Sequence, residues 1–270
     1  MSKPKCDGAI TILGLGLIGG SIAAALKNRN KKVTIVAYDR DINTLKYAQK
    51  IGLIDCYANT IKTAIAGADI IVVAAPISSY GEIFGALAKH ITTEQVITDV
   101  CSVKGAVIKI AKHELKQNIS QFVPAHPIAG SEKSGVKNAQ ADLFIGYNVI
   151  LTPTVKTRAE ATRKITSCWQ NLGALVTSMT AAQHDMILAA TSHLPHVLSY
   201  AYMNMFSRRK NIIKYSAGGF KDLTRIAASD TKLWQDIFCA NSKALLKEIR
   251  AFKKQLSALE EAILHQEKQT

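Results

Sequence analysis

The chain reads as an α/β protein, with an N-terminal doubly wound sheet followed by an all-helical C-terminal domain. Three observations predict this. Up to about residue 178, short apolar runs of strand length alternate with helical patterns. Several of those runs are unbroken and β-branched, such as Ile70-Ile71-Val72-Val73, which suits strands covered on both faces. Beyond Ser178 the alternation stops and only helical periodicity continues. The predicted domains are therefore 1–178 and 179–270, and 270 residues suffice for two modest cores.

The strands are expected at 8–13, 33–38, 70–75, 95–99, 122–125, 147–152 and 174–178, with helices in most of the gaps. Thr180-x-x-Gln183 is a capping box that opens a helix through about residue 206. Pro195 should kink that helix, because it lacks an N–H and its ring crowds the Thr191 carbonyl. Two more helices are expected, at 222–228 and 231–266. No internal repeat or low-complexity linker interrupts the chain. A helical tail with apolar surface to spare is expected to dimerise.

Composition narrows the function classes. With 48% hydrophobic and 20% charged residues, the sequence fits a soluble globular protein. No apolar run approaches membrane-spanning length, and no secretory signal opens the chain, so a cytoplasmic protein with no membrane partner is expected. Cys6, Cys56, Cys101, Cys168 and Cys239 are dispersed without a Cys-x-x-Cys pair, as expected of reduced thiols and not of a zinc site or disulfide framework. The net charge of +14 raises nucleic-acid binding as a possibility. The basic residues, however, form short scattered clusters without a binding motif, so no nucleic-acid partner is expected. A positive field also draws in anionic small molecules.

Gly14-Leu15-Gly16-Leu17-Ile18-Gly19 follows a predicted strand and opens a helix. In such a motif the first glycine permits a tight turn and the second lets backbone approach a pyrophosphate. The third lets helix and strand pack closely. The helix N-terminus near Leu17 and Ile18 presents N–H groups and a positive dipole end to the phosphates. Asp39 ends the second strand, 20 positions beyond Gly19, where a carboxylate meets the adenine ribose hydroxyls. This conjunction predicts a Rossmann-type dinucleotide site. Asp39 favours NAD; Arg40 could pair with a 2′-phosphate, which leaves NADP open.

Downstream, His126 stands in the Gly/Pro/Ser-rich stretch His126-Pro127-Ile128-Ala129-Gly130-Ser131-Glu132-Lys133-Ser134-Gly135. Oxidation of an alcohol by hydride transfer needs a base beside the nicotinamide, and His126 follows a predicted strand at the sheet rim. Ser102, in Asp99-Val100-Cys101-Ser102-Val103-Lys104, follows another strand and faces the same rim; its alternative role is a helix N-cap. His193 and His196 lie three apart at the Pro195 kink, with no carboxylate at metal-ligand spacing, so no metal is expected. Arg225 follows the glycine-rich turn at Gly218-Gly219 and suits a bidentate clamp on a carboxylate. An ion pair with Asp222 or Glu132 is its alternative. Trp234 lies nine residues further on.

Taken together, the segments GLGLIGGS, DVCSVK, HPIAGSEKSG, SHLPH and GGFKDLTRIAASDTKLW resemble the prephenate/arogenate (cyclohexadienyl) dehydrogenase family of tyrosine biosynthesis, over nearly the whole chain. The resemblance implies that His126 is the catalytic base, that Ser102 supports it, and that His193 and Arg225 bind substrate. It implies an ionic network of Glu132, Asp222 and Arg225 that controls access, and a Trp234 that reaches the partner subunit's site in a homodimer. The implied reaction is NAD(P)-dependent oxidative decarboxylation of prephenate, or of arogenate. No fused mutase or regulatory domain is expected. Three alternatives stay open: an arogenate-specific enzyme, another dehydrogenase acting on a β-hydroxy acid or imine, and a non-catalytic NAD-binding regulator.

Overall fold

A computed structural model describes residues 9–130, 133–206 and 214–267. The chain divides into two compact units, Met1–His184 and Asp185–Thr270. In the first, the strands are β1 (Ala9–Leu13), β2 (Thr34–Tyr38), β3 (Cys56–Tyr57), β4 (Ile70–Val73), β5 (Val96–Asp99), β6 (Phe122–Val123), β7 (Ala125–Pro127), β8 (Asn148–Leu151) and β9 (Leu175–Ser178). The helices between them are α1 (Leu17–Arg29), α2 (Ile42–Lys50), α3 (Ile61–Ala64), α4 (Tyr80–His90), α5 (Gly105–Leu115) and α6 (Ala159–Asn171). Helix α7 (Ala181–Leu188) contains the division between units. The second unit carries α8 (Leu194–Phe206), α9 (Gly218–Ala227), α10 (Thr231–Ala240) and α11 (Ser242–Glu267).

Six strands form a parallel sheet in the order β3-β2-β1-β4-β5-β6. The β-branched runs explain its burial. Ile10, Ile12, Ile35, Ile70 and Val72 pack into the core on one face, while Leu13, Ile71, Val73 and Ile97 pack into a second core on the other. Alternate residues of a strand point to opposite faces, so a strand apolar at every position must be covered twice. Thr11 is polar and fully buried, and its hydroxyl donates to the Ala64 carbonyl at 2.6 Å.

Three features differ from expectation. The two-residue β3 is too short to show any periodicity in the sequence. The run at 122–125, read as one strand, divides at Pro124 into β6 in the parallel sheet and β7 in a separate sheet of order β7-β8-β9. Proline has no N–H to extend the ladder from β5. The next N–H, of Ala125, donates to the Asp99 carboxylate instead. The strands predicted at 147–152 and 174–178 join this second sheet, β8 antiparallel to β7 and parallel to β9. His126 therefore lies inside β7, opposite Ile150, and not in a loop after a strand.

The third difference lies in the helices. The 231–266 stretch, read as one helix, is broken at Asn241, which caps the C-terminus of α10. The Thr180/Gln183 capping box forms in both directions, Thr180 N–H to Gln183 Oε1 at 3.0 Å and Gln183 N–H to Thr180 Oγ1 at 3.2 Å. At Pro195 the chain makes a π-turn over Ala189–His193, where the Leu194 N–H donates to the Ala189 carbonyl five residues back. The wider turn restarts the helix just before the proline, which then sits in a first turn where no N–H is needed. No helix among the described residues is long and apolar enough to cross a membrane.

Candidate active site

The turn after β1 is built by its glycines. Gly14 has φ +100°, and a Cβ there would lie 2.5 Å from the Ala74 carbonyl oxygen. A Cβ on Gly19 would lie 2.1 Å from the Gly14 carbonyl oxygen, so α1 packs on the turn only because that position is bare. Around Gly16 a Cβ would meet nothing within 4 Å, which leaves that side of the turn open to a ligand. Leu17 and Ile18 are the first residues of α1, whose first turn has no acidic residue to repel an anion. Their N–H groups belong to the set that helix geometry leaves without an intrahelical partner. Asp39, just past β2, accepts the Leu15 N–H at 2.7 Å and the Asp41 N–H at 2.9 Å, which pins its carboxylate beside the turn. Arg40 is ion-paired to Glu82 at 2.5 Å, on a surface where both side chains are 67% exposed. These residues fit the pyrophosphate and ribose of a dinucleotide.

Between this turn and β7 lies a buried charge network that the sequence reading missed. Asp99 and Lys104 are both fully buried, and the Lys104 ammonium donates to the Asp99 carboxylate at 2.6 Å. Lys104 also donates to the Ala125 carbonyl at 2.7 Å, and Asp99 accepts the N–H groups of Cys101 and Ala125 at 3.0 Å each. The Tyr80 hydroxyl donates to Asp99 at 3.3 Å. Burial, with the nearby Asp99 charge, holds the Tyr80 phenol well above its usual range, so it stays a donor. One ion pair thus ties the loop that carries Ser102 to the strand that carries His126. Ser102 is half-buried in that loop. It is not a helix N-cap, because α5 begins at Gly105 and is capped at Lys104. The pattern that could have revealed the network is a charged pair, five apart, bracketing an otherwise uncharged motif.

His126 is 8% exposed, and its Nδ1 lies 2.9 Å from Nε2 of the fully buried His184. The two rings meet edge-on, with centroids 5.1 Å apart. His184 also escaped the sequence reading.

In the second unit, His193 is fully buried at the end of the π-turn. The Asn241 amide nitrogen donates to the Asp185 carbonyl at 2.8 Å and approaches His193 Nδ1 at 3.1 Å. A carbonyl only accepts, so that amide atom is the NH2 group, and Nδ1 of a neutral His193 is the acceptor. The His193 proton then resides on Nε2, which makes this ring a hydrogen-bond donor at that edge. His196 donates its Nδ1–H to the Ser192 carbonyl at 2.9 Å and stacks on Trp234 at a centroid distance of 3.4 Å. Burial lowers the His196 pKa, opposed by the Ser192 contact, so the ring is neutral at pH 7. Trp234 therefore lies against residues of its own chain. Asp222 and Arg225 are exposed on α9, three residues apart, and no ion pair joins them among the described residues. Glu132 lies outside the described residues. No group of three or more His, Cys, Asp or Glu suited to a metal occurs among the described residues.

Residues 22–178 match the family model for the nucleotide-binding domain of prephenate dehydrogenase, and residues 180–270 match that for its dimerization domain. The chain belongs to the prephenate dehydrogenase family. It is 39% identical over 263 residues to the cyclohexadienyl dehydrogenase of Zymomonas mobilis, covering 96% of this chain and 89% of the relative. It is 34% identical to the prephenate dehydrogenase of Bacillus subtilis, covering 88% of this chain and 65% of that protein. Among solved structures, the prephenate dehydrogenase of A. aeolicus in complex with hydroxyphenyl propionate and NAD+ superposes with a TM-score of 0.90 at 34% identity, covering 96% of this chain and 91% of that one. The arogenate dehydrogenase of Synechocystis superposes with a TM-score of 0.80 at 29% identity, covering 96% and 93%. As a prephenate dehydrogenase family member, the chain is an oxidoreductase with a Rossmann-type nucleotide-binding domain. Pyrroline carboxylate reductases, at 12% identity, share the fold alone.

Proposed function

We propose that this protein catalyses the NAD-dependent oxidative decarboxylation of prephenate to 4-hydroxyphenylpyruvate, CO2 and NADH. The observation that carries the proposal is a buried histidine, His126, with one ring nitrogen engaged by His184, in the same compact unit as a glycine turn shaped for a dinucleotide. Gly14, Gly16, Leu17, Ile18, Gly19 and Asp39 hold the cofactor, which supplies the hydride acceptor when bound. Asp39, pinned beside the turn, favours NAD, while Arg40, exposed and paired only at the surface with Glu82, leaves a 2′-phosphorylated cofactor open. His126 accepts the ring-hydroxyl proton as the carbon that bears it is oxidised, and departure of the ring carboxylate as CO2 makes the ring aromatic. Ser102 orients the histidine. Arg225 grips a substrate carboxylate, with Glu132 and Asp222 governing access. His193 offers its Nε2–H to a substrate oxygen. The protein acts as a homodimer through its helical unit, with Trp234 serving the partner's site, and it works in the cytoplasm without a nucleic-acid or membrane partner.

Arogenate as a second substrate is favoured by the likeness to the Z. mobilis cyclohexadienyl dehydrogenase and the Synechocystis arogenate dehydrogenase. Steady-state kinetics with both substrates and both cofactors test the assignment directly. His126→Asn should lower kcat by roughly 10²–10⁴ with little change in KM, as expected for loss of a general base. Arg225→Ala should act mainly on KM, because a clamp that grips ground and transition states equally adds nothing to kcat. Near-normal turnover by His126→Asn would remove the base assignment, and an unchanged KM in Arg225→Ala would remove the clamp.

A further inference from the structure

Two buried imidazoles 2.9 Å apart share a single proton between the facing nitrogens, so one donates and the other accepts. If His184 donates, the His126 proton resides on Nε2 and the ring meets a substrate hydroxyl only as a donor. If His126 donates its Nδ1–H, its Nε2 carries the lone pair that a base requires. We propose that His184 is a positioning residue that selects the second state: its Nε2 lone pair accepts the His126 Nδ1–H, and its own proton resides on Nδ1. This rests on the reading of His126 as the base.

The surroundings support that division of labour. His184 is the fourth residue of α7, whose start is held by the reciprocal Thr180/Gln183 cap. His126 lies in β7, where the Ala125 N–H and carbonyl are held by Asp99 and Lys104. Each ring is thus carried by backbone fixed through independent bonds. During turnover the substrate O–H bond breaks and an Nε2–H bond forms on His126, leaving an imidazolium with both nitrogens protonated. Its Nδ1–H remains donated to His184, and that hydrogen bond strengthens when the donor becomes charged. A neutral histidine here does the orienting work that a carboxylate does in a serine protease triad.

Nitrogen NMR of the free wild-type protein, labelled with 15N-histidine, reads the tautomer directly. The expected result is His126 with Nδ1 in the protonated range and Nε2 in the lone-pair range; the reverse pattern overturns the proposal. Kinetics supply the second arm. Glutamine places its carbonyl oxygen near the position of histidine Nε2 and keeps the acceptor, whereas leucine removes it. H184L should lose on the order of 10- to 100-fold in kcat with KM within about twofold of wild type. H184Q should recover to within about tenfold of wild type. Wild-type kcat in H184L, or equal losses in both variants, overturns the proposal, and if H184L fails to fold the tautomer measurement decides. Wild-type protein inactive on every cyclohexadienyl substrate would instead refute the proposed reaction, while the NMR would still report on the pair.

Discussion

Asp99 and Lys104 show how costly residues are justified by position. Breaking a buried pair by removing one partner costs on the order of 3–5 kcal/mol, because it strands a charge out of water. Here both charges also hold backbone groups of β7, so the pair fixes where His126 begins. The same network governs Cys101. Burial pushes its thiol up to about 11, opposed by the Lys104 charge and reinforced by Asp99. At pH 8 only roughly a thousandth of such a thiol is thiolate, the form that reacts. Iodoacetamide at that pH should therefore label the exposed Cys56 and Cys239 and spare Cys101 in the folded protein, as read by peptide mass spectrometry. Rapid labelling of Cys101 would contradict the closed network.

On the scale of elements, the contact of α1 with the turn after β1 has no slack. A Cβ at Gly19 would overlap a backbone carbonyl, and backbone cannot rotate aside as a side chain can. Gly19→Ala should destabilise the protein by about 1–3 kcal/mol, the usual cost of overpacking, and should weaken NAD binding by moving the α1 N-terminus. Thermal denaturation and cofactor titration check the two effects; a variant with wild-type melting and affinity would show that the helix shifts freely. The capping box at Thr180 and the glycine turn were legible because each is a local pattern of a few residues. The division of residues 122–127 between two sheets was not, although Pro124 marked the place. Whether a proline ends a strand or merely bends it depends on where the following N–H finds its partner, and that partner is the side chain of Asp99.

For the molecule as a whole, α11 presents apolar residues that its own unit leaves uncovered. Leu256, Leu259 and Ile263 are 56%, 62% and 61% exposed, at spacings that place them along one side of the helix. If the helical unit pairs two copies, these residues are the expected contact with the second copy. Leu259→Glu combined with Ile263→Glu should halve the mass measured by light scattering and reduce turnover, since Trp234 is proposed to serve the partner's site. A double variant that stays dimeric would move the interface elsewhere on the helical unit.

By itself, the sequence determined most of the alternation of strands and helices, the dinucleotide turn and the Thr180/Gln183 cap, because each depends on residues close together in the chain. The family followed from five short motifs in order. Only the tertiary structure decided that His126 lies within a strand of a second sheet, that Asp99 and Lys104 bury their charges together, and that His184 meets His126 across 58 residues of chain. Those pairings bring together groups distant in sequence in a dry interior. Periodicity carries no record of such contacts, because it reports which way a side chain faces and not which group it meets.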